Sequence, residues 1–146
     1  MDAADRSTGE LPQKPLILIL CGLPGSGKTS IASSITNNAT ELISQSLHKQ
    51  VSVTVKHICF DNVYAELLAH HKLDRGAWGP SLWHKARAMC YDQTKNEVQS
   101  SKETPKIIIV DDNMYYRSMR RPYYVLAAQS TFNLNNLISF TRFCLA

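Results

Sequence analysis

Leu16-Ile-Leu-Ile-Leu-Cys-Gly-Leu-Pro-Gly-Ser-Gly-Lys-Thr-Ser30 decides the fold. Its first six residues are continuously apolar, as in a central parallel strand buried on both faces. Gly22-Leu23-Pro24-Gly25-Ser26-Gly27-Lys28-Thr29 then matches GxxxxGK[ST], the phosphate-binding loop. Glycines let such a loop turn successive N–H groups toward one phosphate, and the following helix adds its positive end. Lys28 supplies an ammonium for the β- and γ-phosphates, Thr29 a hydroxyl for magnesium, and Ser30 continues the loop into the helix. The ligand implied is ATP with Mg2+.

Working outward, Ile31, Ile35, Leu42, Ile43 and Leu47 recur at helical spacing, so a helix is predicted from Lys28 to about Gln50, with Asn37-Asn38 a break or an end. Val51–Phe60 alternates and is rich in β-branched residues, a second strand. Asn62–Leu73 reads as a helix, 74–80 as a Gly/Pro loop, and Ser81 to about Val98 as a long helix with Trp83, Ala86, Met89, Cys90 and Val98 inward. Lys106–Val110 is a further buried strand. Met119–Gln129 reads as a helix with Pro122 in its first turn, and Leu137–Phe143 as a weak strand candidate. Strands alternating with helices imply a parallel sheet with helices on both faces. The polar signals fall at strand ends, where such sheets bind ligands.

Two of those ends carry acids. Asp111-Asp112 follows four apolar residues, the Walker B pattern, and a carboxylate there holds magnesium; spacing does not choose between the two. Asp61 ends the second strand, where it either orients an attacking hydroxyl or caps the next helix. Tyr115, Tyr116, Arg117 and Arg120 are candidate substrate contacts, since arginines beside aromatics grip phosphate and stack on bases, or else form a solvated face. His70, His71 and His84 read as surface residues.

The 146 residues fit one domain, and 44% hydrophobic with 19% charged is a globular balance. A net charge of +4 permits a nucleic-acid partner without requiring one. Cys21, Cys59, Cys90 and Cys144 form no CxxC pair, and the five histidines do not fall near them at zinc-ligand spacing, so buried reduced thiols are expected. Residues 1–14 read as a flexible leader without a signal-peptide pattern. Leu16–Leu20 is too short to span a membrane, and the expected compartment is the cytoplasm.

The stretch Val110-Asp111-Asp112-Asn113-Met114-Tyr115-Tyr116-Arg117-Ser118-Met119-Arg120, with Cys59-Phe60-Asp61-Asn62-Val63 and the loop, resembles the L-seryl-tRNA(Sec) kinase family. The likeness runs from about Leu16 to Ala128. It implies an ATP- and magnesium-dependent kinase that phosphorylates the serine on selenocysteine tRNA. On that likeness Gly22–Thr29 would bind ATP, Lys28 and Asp61 would act in catalysis, and Asp111 or Asp112 would help hold the metal. The related elongator-associated P-loop family has a pattern closer to Asp-Ser-x-Asn-Tyr, which Asp112-Asn113 and Tyr115-Tyr116 fit less well. Family members continue past the matched region with another strand, a helical lid bearing an RxxxR pair and a tRNA-engaging segment. Arg117 and Arg121 have that spacing but follow the acidic strand end and are not the lid. The expected architecture is therefore a P-loop core over 15–129, a divergent tail over 130–146, and a sheet lacking its last strand or strands and its lid. Weak or absent transfer activity is expected of such a stretch, which leaves two further readings: an ATP-binding module without catalysis, or an accessory ATPase of tRNA modification.

Overall fold

A computed structural model describes residues 15–71, 79–100, 104–129 and 141–145. The chain runs β1 (Leu16–Gly22), α1 (Lys28–Leu47), β2 (Thr54–Cys59), α2 (Phe60–His70), α3 (Pro80–Gln99), β3 (Lys106–Asp111), α4 (Arg117–Gln129) and β4 (Thr141–Leu145). The leader and residues 74–78 of the expected loop lie outside the described residues, and Pro80, expected to close that loop, begins α3. The four strands form one parallel sheet in the order β2-β3-β1-β4.

The alternation of each central strand sorts its side chains to two faces. Leu18, Leu20 and Ile109 meet Ala32 of α1, with Ile35 beside them. On the opposite face Ile17, Ile19, Cys21 and Val110 pack against Tyr123, Leu126 and Ala127 of α4. Ile58 and Ile108 on that face pack against Val63 and Leu67 of α2 and Ala86 and Cys90 of α3. The parallel α/β fold with helices on both faces is as the sequence implies. Cys21, Cys59 and Cys90 are buried thiols, again as expected.

Several boundaries differ from the sequence reading. α1 runs through Asn37-Asn38 without a break; Asn38 Nδ2 donates to the Ser34 carbonyl and Thr36 Oγ1 to that of Ala32, so these side chains bond within the helix rather than compete with it. It ends at His48, whose left-handed backbone (φ 48°) lets its N–H reach the last turn. α4 begins two residues early, which places Pro122 inside the helix rather than in its first turn. The tail adds a strand to the free edge of β1, with Leu18 opposite Thr141 and Gly22 opposite Leu145. The strand thus overlaps the weak candidate at 137–143 but lies a few residues further on, and the tail expected to diverge supplies an edge strand.

Lys106 is a buried cation at the start of β3. Its Nζ donates to the Glu97 carboxylate at 2.9 Å, to the Glu97 carbonyl at 3.1 Å and to Ser100 Oγ at 2.8 Å. The ammonium thus satisfies carbonyl acceptors that the end of α3 leaves open. It also pins the base of β3, which aims the strand's far end at the loop after β1.

Ile109 is fully buried between α1 and its strand neighbours. Ile109→Ala is expected to cost about 2–5 kcal/mol, read as a fall in the urea midpoint of unfolding.

Candidate functional site

The turn after β1 takes the conformation that its glycines permit. Gly25 and Gly27 have φ of +79° and +86°, and a Cβ at either would meet no atom within 4 Å. Backbone conformation, not space, therefore excludes side chains there. Gly27 caps α1 in the left-handed region, and Ile31 N–H already bonds the Gly27 carbonyl at 3.0 Å. Lys28 is buried at the first turn, and its Nζ reaches back to the carbonyls of Leu23 (2.8 Å) and Gly22 (3.1 Å). Ser26 Oγ is buried and has no hydrogen-bond partner among the described residues. The turn thus gathers an ammonium and a buried hydroxyl at the N-terminus of α1, a donor set that suits a polyoxyanion.

A cleft of about 350 Å³ opens over the turn. Pro24, Gly25, Gly27, Lys28, Thr29 and Ser30 form one wall; Phe60 and Asp61 from α2 and Asp111, Asp112 and Asn113 from the end of β3 form the other. Gly22, Leu23 and Ser26 belong to the loop without lining this cleft. Among the described residues Lys28 is the one cation in the lining.

The two acids of the pair have different surroundings. Asp111 is buried, and its Oδ2 accepts from Thr29 Oγ1 at 2.8 Å, joining the end of β3 to the first turn of α1. The same oxygen lies 3.2 Å from His57 Nε2 on β2. Asp112 turns to α3 instead, where Arg87 Nε stands 3.5 Å from its Oδ2. Arg87 also lies over the Trp83 ring, 4.8 Å from the centroid, and donates to Met114 Sδ. Burial raises the Asp112 carboxyl above the usual carboxylate range, with Arg87 pulling the other way. Burial likewise pushes the Cys59 thiol up, and the negative charge of Asp111 adds to this.

Asp61 lies in the first turn of α2, and the residue capping that helix is Cys59, without a side-chain bond. The capping alternative for Asp61 is thereby removed. Tyr115, Tyr116 and Arg117 are exposed just past the acidic strand end and do not line the cleft. The Arg120 guanidinium is turned inward, bonding the carbonyls of Met114 and Tyr115 (2.9 Å for the latter). Arg120 thus braces the turn that carries the tyrosines. His57, Arg87, Phe60 and Asn113 were not singled out from sequence. His57 was findable by alternation, since it shares a strand face with Cys59; Arg87 was not, because only the packing of α3 brings it to Asp112.

A strand-end phosphate loop, a basic first turn and an acid across the cleft define a P-loop protein of the kinase type. The chain belongs to the family described as "Chromatin associated protein KTI12", which matches residues 14–138. Among solved structures it is similar to a mutant APS kinase CysC of Mycobacterium tuberculosis, at 14% identity and a TM-score of 0.59, covering 92% of this chain and 77% of that one. The same kinase in complex with AMPPNP and APS matches at 16% identity and a TM-score of 0.57, covering 92% and 64%. Kti12 of Chaetomium thermophilum in complex with ADP-AlF3 matches at 23% identity and a TM-score of 0.52, covering 78% of this chain and 54% of that one. The chain thus spans between about half and three quarters of these relatives. These likenesses establish the fold. No curated protein matches the chain. No helix among the described residues is long and apolar enough to cross a membrane.

Because the folded state raises the Asp112 pKa, it binds this proton more tightly than the unfolded chain does. Stability attributable to Asp112 therefore falls as pH rises from the ordinary carboxylate value, 3.8, through the raised one. Asp112→Asn is expected to flatten that part of the profile of melting temperature against pH.

Proposed function

We propose that the chain is the ATP-binding part of a phosphotransferase that acts on the seryl group of selenocysteine tRNA. The single observation that carries the phosphotransferase reading is that Asp61 and the Thr29–Asp111 pair face one cleft above the phosphate loop. The choice of acceptor rests on the resemblance carried by Asp111-Asp112-Asn113 and Tyr115-Tyr116.

The roles follow from the surroundings. The loop amides of Gly25–Thr29 and the Lys28 ammonium hold the phosphates; Lys28 exchanges its two carbonyl partners for phosphate oxygens. Thr29 and Asp111 would hold magnesium, whose bound charge would neutralise the β- and γ-phosphates. Asp112 is engaged by Arg87, which makes Asp111 the metal carboxylate and Asp112 the brace between β3 and α3. Asp61 accepts the proton of, or orients, the attacking seryl hydroxyl. Tyr115, Tyr116 and Arg117 offer exposed stacking and charge to RNA beyond the cleft.

Membership of the KTI12 family favours a second reading, an accessory ATPase of tRNA modification in which nucleotide binding and hydrolysis serve an assembly. The two readings share the ATP site and differ in the fate of the γ-phosphate. An arginine on that phosphoryl contributes about 10³–10⁵ in rate in related enzymes, and the described residues of the lining supply none, so binding is the primary readout.

Saturating Mg·ATP is expected to raise the melting temperature, equivalent to about 2.7 kcal/mol at a hundredfold excess over Kd. Lys28→Ala is expected to lose this shift; its survival there would remove the site. With γ-labelled ATP and serylated selenocysteine tRNA, label is expected on serine. Asp61→Asn is expected to reduce transfer by about 10²–10⁴ while ATP still binds. Hydrolysis without transfer would instead establish the accessory ATPase.

A further inference from the structure

The acid end of β3 has a second set of neighbours beneath the cleft. Cys59 stands opposite Asp111 in the register of β2 and β3, and His57, two residues earlier on β2, projects to the same face. The donor atoms of His57, Cys59 and Asp111 all lie within 4.8 Å of one another. They are the one such trio of potential metal ligands among the described residues. Cys59 and Asp111 are buried and the His57 side chain is 20% exposed, so the cluster is dry on the strand side and has one adjustable member. His57 and Cys59 are too close in sequence for the spacing of a zinc finger. Pairing with β3 supplies the third ligand.

We propose that His57, Cys59 and Asp111 form a binding site for a thiophilic divalent cation of the zinc class, and that its occupation excludes magnesium from the nucleotide site. One nitrogen, one sulfur and one oxygen are the donors zinc accepts in tetrahedral sites, leaving a fourth position for water. In such a site the donors stand about 3.3–3.8 Å apart, given metal–ligand bonds of roughly 2.0–2.3 Å. His57 and Asp111, 3.2 Å apart, stand just inside that spacing. A shift of about 1 Å closes the rest. Magnesium takes oxygen ligands and leaves the thiol alone, so the two ions differ in their use of Cys59 and share Asp111. As the metal–sulfur bond forms, the thiol proton leaves to solvent. The Asp111 carboxylate is then committed to the buried ion. The metal site stands on its own geometry; the exclusion of magnesium rests on reading Asp111 as magnesium's carboxylate.

The test uses the full chain without nucleotide and cobalt(II) as a spectroscopic stand-in for zinc. A sulfur-to-cobalt charge-transfer band is expected on the wild type, displaced by equimolar zinc. It is expected to vanish in Cys59→Ser and Cys59→Ala and to persist in Cys90→Ala, with circular dichroism establishing that each variant is folded. His57→Gln is expected to weaken zinc binding ~10-fold or more. A folded wild type with no band, or a band that survives in folded Cys59→Ser, overturns the site. So does a loss of Mg·ATP affinity in His57→Gln in zinc-free buffer without any cobalt band in the wild type, since His57 would then only hold Asp111 by its hydrogen bond. In the nucleotide arm, zinc is expected to lower Mg·ATP affinity at least ~10-fold in the wild type and not in Cys59→Ser. Zinc binding that leaves Mg·ATP affinity unchanged overturns the exclusion while the metal site stands.

Discussion

The 2.8 Å bond from the Thr29 hydroxyl to the Asp111 carboxylate is the contact on which the site depends. It joins residues 82 positions apart and closes the gap between the first turn of α1 and the end of β3. Nothing local enforces it. It exists because β1 and β3 pair in parallel with Leu20 opposite Asp111, which brings both strand ends to one edge of the sheet. The core around Leu18, Leu20, Ile109 and Ala32 then seats α1 over those ends. A register slip of one residue would turn Asp111 to the opposite face and leave the loop without its acid.

The acidic pair shows how one strand end serves two purposes. Successive residues at the end of a strand point to opposite faces. Asp111 therefore falls on the α1 side, with Thr29, His57 and Cys59. Asp112 faces α3, where Arg87, itself held over Trp83, offsets the cost of burying it. Two adjacent carboxylates are thereby kept apart in role. The neighbouring turn is held by Arg120 through main-chain carbonyls, which leaves Tyr115 and Tyr116 presented outward rather than packed beneath a charged face.

Family membership and sequence likeness point to related places by different routes. The KTI12 match covers most of the chain and carries the P-loop architecture. The Asp-Asp-Asn-x-Tyr-Tyr stretch lies outside what architecture requires, since the sheet needs apolar residues in β3 and only one acid at its end. Within it Asp111, Asp112 and Met114 are held by packing or pairing, whereas Tyr115 and Tyr116 are exposed.

Much of this was legible in the chain of residues alone. A continuous apolar run ending in a glycine-rich turn with Lys28-Thr29 admits few structures, because buried parallel strands and left-handed glycines each demand particular residue types. The parallel sheet, the loop, Asp61 and the acidic pair all follow from such local demands. The late strand at Thr141–Leu145 was harder to place, since its pairing partner lies some 120 residues back at Leu18–Gly22 and a weakly patterned segment becomes a strand only when that edge is offered. Which of Asp111 and Asp112 meets Thr29, that Arg87 answers the other, and that His57 and Cys59 gather on the first were decided by tertiary structure. Each is a meeting of side chains from different elements, and only the register of the sheet and the seating of the helices determine which of them touch.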